Sequence, residues 1–185
     1  MEVARKLFYE KGYYRTTMDD IAKEAGVAKG TVYLYFNSKV ELLLTIIETE
    51  HVNLLDFLQN LTKRKDLDPR EKLSRFIDRM WDILYSARHM LAMSEIAQRR
   101  IIFEEGFKDM YMTRVMPLRK AIIMNLKSIF EEGVKKGQFR PVNSEFAVRW
   151  MIFSIPGAFY GAEGRVRYED KETVKDLIFN GFSKK

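Results

Sequence analysis

Thr17-Met18-Asp19-Asp20-Ile21-Ala22-Lys23-Glu24-Ala25-Gly26-Val27-Ala28-Lys29-Gly30-Thr31-Val32-Tyr33-Leu34-Tyr35-Phe36 is the stretch that decides the fold. The Thr17 hydroxyl can cap a backbone N–H, and Asp20, three residues on, completes capping-box spacing, so a helix is expected to start here. Its inward face would be Met18, Ile21, Ala22 and Ala25. Gly26 stops it, Val27 is placed to plug the core, and a third short helix is expected from about Ala28 to Phe36. A capped helix, a glycine turn and a second short helix are the parts of a helix-turn-helix, whose second helix enters the major groove of DNA.

At 3.6 residues per turn, Val32 and Phe36 fall within about 40° of each other and define the buried side of that second helix. Gly30, Thr31 and Leu34 point away, flanked by Tyr33 and Tyr35, while Lys29 in the first turn is free to bend outward. The outward arc thus offers a cation, a hydroxyl, phenols and an apolar contact, a mixture suited to phosphates, base edges and thymine methyls. Gly30 acts by lack of bulk, letting the backbone approach DNA where helix N–H groups already attract phosphate.

The rest of the chain also reads as helix, because apolar residues recur at three- and four-residue steps and alternating runs are missing. A first helix carries Val3, Ala4, Leu7 and Phe8, with Gly12 expected to end it in the left-handed conformation. Ser38 and Glu41 give a second capping-box spacing, opening a long helix to about Thr62 with the stripe Leu43, Ile46, Ile47, Leu54, Leu58 and Leu61. Lys63 to Pro69 reads as a linker, since proline disfavours helix at the residue before it. Leu73, Ile77, Met80, Leu84 and Ala87 mark the next helix, and Leu91 to about Phe103 a shorter one. A run over Phe107 to Lys136 should kink or restart at Pro117. Asn143-Ser144 can cap a helix that is apolar almost all round from Trp150 to Tyr160, a pattern expected of a buried helix. Val174, Leu177, Ile178, Gly181 and Phe182 mark the last. The expected architecture is all-α: a three-helix DNA-binding domain over residues 1–45, with the helix from 38 as connector, then an antiparallel ligand-binding and dimerisation bundle over 46–185.

Charge adds little. The net +6 attracts polyanions, yet residues 1 to 40 hold seven Lys/Arg against five Asp/Glu. With no cysteine, disulfides, thiolate metal sites and cysteine nucleophiles are excluded, and a reducing cytoplasm fits. His51 and His89 have no ligand-spaced partner, so neither metal nor cofactor is expected. No segment reaches the roughly 18 apolar residues of a membrane span, and a cytoplasmic protein with no membrane partner is expected.

Thr16 to Leu43, taken together, resembles the DNA-binding signature of the tetracycline-repressor (TetR) family, the likeness covering about residues 1 to 45. It implies that Thr17, Tyr35 and Lys39 mainly grip phosphates and that Lys29, Gly30, Thr31, Tyr33 and Leu34 meet the groove. Ala28 stands at the start of the same helix, where the family frequently has serine. The resemblance further implies a homodimer paired through the last two helices, bound to pseudo-palindromic double-stranded operator DNA, acting as a repressor released by a small molecule. Trp150, Phe153 and Phe159, with Gly157 and Gly161 allowing close packing, suit such pairing. The middle of the chain is rich in methionine and aromatic groups, which build adaptable cavities and ordinary cores alike. Trp81, Tyr85, Met93, Phe107, Met110, Tyr111 and Phe153 are the candidate lining of an apolar effector pocket. A cationic ligand would need a buried carboxylate such as Glu95, and an anionic one an arginine such as Arg114.

Two other readings compete: a helical module that contacts protein instead of DNA, and a small hydrolase using His89 with Ser86 or Ser94. No nucleophile motif supports the hydrolase. Duplex binding that weakens steeply with salt would separate DNA from protein recognition.

Overall fold

The computed structural model describes residues 1–85, 101–161 and 167–182. They are helical, with no extended strand among them: α1 (Glu2–Lys11), α2 (Met18–Glu24), α3 (Lys29–Tyr35), α4 (Lys39–Lys63), α5 (Pro69–Tyr85), a 3₁₀ turn (Ile101–Phe103), α6 (Phe107–Met110), a π-helical turn (Tyr111–Val115), α7 (Met116–Lys135), α8 (Ser144–Gly161) and α9 (Asp170–Phe182). The reading Leu91 to Phe103 lies largely outside the described residues, and its last three form the 3₁₀ turn.

Two compact units divide the chain. The first takes in residues 1–52 together with 101–118, a different partition from a boundary near residue 45. Its core explains why: Ile101, Phe107 and Val115 join Leu7, Phe8, Ile21, Val32 and Leu42 to Leu44 in one buried cluster. Arg114, at the end of the π turn, reaches Thr45 at 3.0 Å and pairs with Glu48 on α4. Arg5 of α1 meets Glu50 at 2.5 Å. These contacts span more than sixty residues of sequence in the case of Arg114, beyond the reach of local periodicity.

Proline explains the broken helix. The Pro117 ring crowds the carbonyl four residues back, that of Thr113, and the π turn that absorbs the misfit contains that residue. The restart therefore comes at Met116, one residue before the proline.

The second unit takes in 53–85 and the described residues from 119 onward, around Leu58, Leu73, Phe76, Trp81, Leu126, Phe130, Phe139, Val148 and Ile155. Asp68 caps α5 by accepting from the Glu71 N–H at 2.8 Å, which puts Pro69 at the first helical position where its missing N–H costs nothing. Asn143 caps α8 through the Phe146 N–H at 2.9 Å, while Ser144 turns aside to Glu131.

Three expectations are corrected. Gly12 has φ 82° and ψ 158°, extended rather than left-handed helical, though still a region essentially reserved to glycine. Val27 and Ala25 are exposed, Val27 to 41%, so neither plugs the core. The apolar α8 is buried on one side only: Ala147, Val148, Met151 and Ile155 face the core, whereas Phe146, Trp150 and Phe153 are exposed.

Candidate nucleic-acid interface

The turn geometry follows from the local sequence. Thr17 accepts from the Asp20 N–H at 3.0 Å, and Asp20 accepts from the Thr17 N–H at 2.9 Å, closing the capping box. That N–H holds the Asp20 carboxyl below its ordinary range. At the other end Gly26 adopts φ 66°. There its N–H bonds the Lys23 carbonyl and the Val27 N–H that of Ala22, the double closure that satisfies orphan carbonyls at a helix end. α2 is thus fixed at both termini, and α3 leaves it in a set direction.

On α3 only Val32 is buried, with Phe36 partly so. Leu34 is 83% and Tyr35 75% exposed, and Tyr33 is exposed as well. Apolar groups left this open on a seven-residue helix gain nothing for the fold and await a partner. A Cβ added at Gly30 would meet nothing within 4 Å. The glycine therefore fills no packing need and leaves bare backbone on the outer face. Ala28 and Lys29 are exposed and Thr31 is half-buried.

The cations behave less simply. Lys29 is not free: its ammonium lies 2.8 and 2.9 Å from the two oxygens of Asp19, a hydrogen bond that raises its pKa. Lys39 is partly buried, donating to the carbonyls of Tyr13 and Thr16 at 3.0 Å each and lying 4.3 Å from the Tyr13 ring centre. Thr16 is itself buried, its hydroxyl donating to the carbonyls of Gly12 and Leu7. Lys39 ties α4 to the loop after α1, and Thr16 ties that loop back to α1, a job that motif spacing did not single out. Arg15, exposed just before Thr16, is a further cation near the start of α2 to which no motif spacing points.

The proposed effector residues are shared between the two units. Phe107, Met110 and Tyr111 belong to the first unit, with Phe107 and Tyr111 stacked at 5.7 Å. Trp81 is core of the second unit, while Tyr85 packs edge-on against Tyr168 and Phe153 lies exposed near the Arg119 guanidinium. Met93 and Glu95 lie outside the described residues, as do Ser86, His89 and Ser94. Arg114 is already engaged by Glu48 and Thr45. One open groove of about 440 Å³ in the second unit is lined by Asp68, Arg70, Glu71, Ser74, Glu172, Lys175, Asp176 and Phe179. Its charged walls do not suit an apolar molecule. Among the described residues no cluster of three His, Asp or Glu could hold a metal ion, and no helix is long and apolar enough to cross a membrane.

A capped, glycine-turned helix pair presenting an exposed aromatic helix has the geometry of a helix-turn-helix DNA-binding segment. Residues 1–46 match the family model for bacterial regulatory proteins of the tetR family. The fatty acid metabolism regulator protein of Bacillus subtilis is 26% identical over 153 residues, 83% of this chain and 75% of that protein. The TetR family regulator PfmR of Thermus thermophilus is 28% identical with a TM-score of 0.73, covering 97% of this chain and 96% of the other. FadR of B. subtilis, solved with stearoyl-CoA, shares the fold at TM-score 0.76 and 20% identity, covering 97% of this chain. Residues 1–46 thus carry the tetR-family DNA-binding region, and the chain as a whole is similar to regulators of that family.

Proposed function

We propose that this chain is a cytoplasmic homodimeric repressor that sets one α3 into each half of a pseudo-palindromic operator and is released by a small apolar molecule. The observation that carries it is the outer face of α3, where Tyr33, Leu34 and Tyr35 stand exposed beside the open backbone of Gly30. One such helix touches few base pairs, so two copies spanning half-sites about 34–36 Å apart supply the affinity.

The pairing surface is α8 with α9. Phe146, Trp150, Phe153 and Gly157 follow steps of four, three and four, which place them within about 60° of each other at 3.6 residues per turn. All four are exposed, as are Leu177 and Gly181 on α9, and a Cβ at Gly157 or Gly181 would meet nothing. A self-complementary apolar stripe with glycine gaps suits a two-fold interface.

The fatty acid regulator among the relatives and the stearoyl-CoA held by a protein of the same fold favour a fatty acyl group as the effector. Lining by Trp81, Tyr85, Met93, Phe107, Met110, Tyr111 and Phe153 is part of the proposal. Within it, the acyl group stabilises an arrangement that separates the two α3 helices beyond what successive grooves accept. Coupling must then be reciprocal.

A duplex recovered from a random library by the full chain is the probe, read by fluorescence anisotropy. Binding should weaken steeply as salt rises, be abolished by Lys29→Ala with Tyr33→Ala, and be reversed by stearoyl-CoA or palmitate. Binding indifferent to salt and to both substitutions overturns DNA recognition by α3 in favour of a protein partner. Release by neither acyl compound overturns the effector class alone.

A further inference from the structure

In the free chain, three of the polar groups that the resemblance places at DNA, Thr17, Lys39 and Lys29, are engaged internally. The Thr17 hydroxyl donates to Asp20 at 2.8 Å, and Lys39 is bonded to two carbonyls. Those two contacts hold α2 and α4 in place. The third is of another kind. Lys29 pairs with Asp19 across ten residues, and the two side chains are 58% and 61% exposed. The fold does not need this pair: the α2 cap is made by Thr17 and Asp20, α3 begins with no side-chain cap, and exposed ion pairs contribute little stability. Its consequence falls on the outer surface instead, where it cancels the one cation of α3.

We propose that Asp19 is a specificity-determining residue, an internal stand-in for a DNA phosphate that keeps Lys29 occupied on non-matching DNA. The proposal rests on α3 being the helix that enters the groove. On an arbitrary duplex, Lys29 would exchange one anionic partner for another of similar strength, and the exchange would strand the Asp19 carboxylate against a polyanion. Non-specific complexes therefore form without this contact. A matching site adds base-edge contacts from Thr31, Tyr33 and Leu34, draws α3 deeper, and brings a phosphate near enough to take Lys29 over. Charge in this segment is scarce enough for one carboxylate to matter. With seven cations and five anions in residues 1–40 the excess is two, and neutralising Asp19 raises it to three.

The test compares Asp19→Asn with the parent in the full chain, using a 30-base-pair random-sequence duplex and the duplex enriched by the parent protein, from 50 to 200 mM KCl. On the random duplex, Asp19→Asn should bind about three- to tenfold more tightly at 50 mM, and the slope of log K against log salt should steepen by about 0.9, one extra phosphate contact. On the enriched duplex the gain should stay under about threefold with an unchanged slope, because Lys29 has already moved. Discrimination therefore falls while the melting temperature holds. In Asp19→Asn with Lys29→Gln the random-duplex slope should return to the parent value.

Equal tightening on both duplexes would mean bulk charge and overturn the proposal. A larger loss on the enriched duplex would show Asp19 orienting Lys29 toward a base, and also overturn it. If parent binding is salt-dependent and lost in Tyr33→Ala while Asp19→Asn changes nothing, only the role of Asp19 fails. If the parent shows no salt-dependent duplex binding, the placement of α3 fails and the proposal with it.

Discussion

Phe153→Ala should dissociate the dimer with little effect on the folded protomer. The ring is 61% exposed in the single chain, and a phenylalanine presents roughly 200 Å², leaving about 120 Å² to be covered by a partner. At about 25 cal/mol per Å² that is about 3 kcal/mol per protomer and about 6 per dimer, since a two-fold interface uses each residue twice. Part of this is offset by ordering costs on association. About half, or about 3 kcal/mol, should remain, a factor of about 100 in the dimer dissociation constant. Sedimentation over a dilution series measures it, with thermal melting of the dilute protein as a check on the fold. Charge at the same position, Phe153→Glu, should leave only monomer at micromolar concentration, with cooperative operator binding lost in parallel. A dimer of parental affinity in both variants would refute α8 as the pairing surface, and so would a parent that stays monomeric at the same concentration.

Other substitutions separate fold from function. Thr17→Ala should cost about 1 kcal/mol through the lost cap, read as a fall of about 2–4 °C in melting temperature. Gly26→Ala should cost about 1–2 kcal/mol from backbone strain alone, because the new methyl would meet nothing. Gly30→Ala should do the reverse, gaining about 0.5–1 kcal/mol of helix stability while weakening operator binding. Gly133→Ala drives a methyl into the buried Phe139 ring and should destabilise by about 1–3 kcal/mol in thermal or denaturant unfolding. Glu132→Gln removes the carboxylate partner of buried Lys72, which retains only a 3.4 Å contact to the Thr62 carbonyl. It should cost about 2 kcal/mol, less than a fully buried pair because Glu132 is partly exposed. Hydrogen bonding from Lys136, supported by Lys72, holds Glu132 below its ordinary 4.5, so this stability is present above that pH and is lost as acid protonates the folded carboxylate. A urea series from pH 6 to pH 3 should show a larger loss in the parent than in Glu132→Gln, which keeps only the loss due to other lowered carboxylates such as Asp20.

Much of the first unit was legible because its signals are local. Thr17 with Asp20, Gly26 and the step from Val32 to Phe36 each act within a few residues, and each does structurally what its spacing predicts. Val27 misled because its position in the turn suggests burial, whereas the core beneath is already filled by Met18, Ile21, Ala22 and Val32. The grouping of residues 101–118 with the first unit was illegible for the opposite reason. It depends on Arg114 finding Glu48, and on Ile101 and Phe107 joining the buried cluster of the first unit, neither of which leaves a periodic trace. The all-round apolar run in α8 predicts burial, yet within it Met151 and Ile155 are buried while Trp150 and Phe153 stand exposed in the single chain. Hydropathy reports that a surface must be covered without saying by what.

The same limit governs the charges at the DNA face, where sequence supplied the residue types and the structure supplied their occupation. By residue type alone, Lys29 in the first turn of α3 and Lys39 just after that helix are both cations near the DNA face. In the fold they differ in what displacing them would cost. Moving Lys39 would leave two loop carbonyls unsatisfied at 3.0 Å contacts and uncover the Tyr13 ring. Moving Lys29 breaks one solvent-screened pair and a longer, exposed approach of 5.9 Å to the Tyr33 ring centre. Lys39→Met should therefore lower stability and DNA affinity together. Lys29→Met should leave melting unchanged and lower affinity for the enriched duplex alone. Melting curves and anisotropy titrations on the two variants measure both quantities. Equal loss of stability in the two would mean that the Asp19 pair also holds α2 against α3, and the two lysines would then share one structural role.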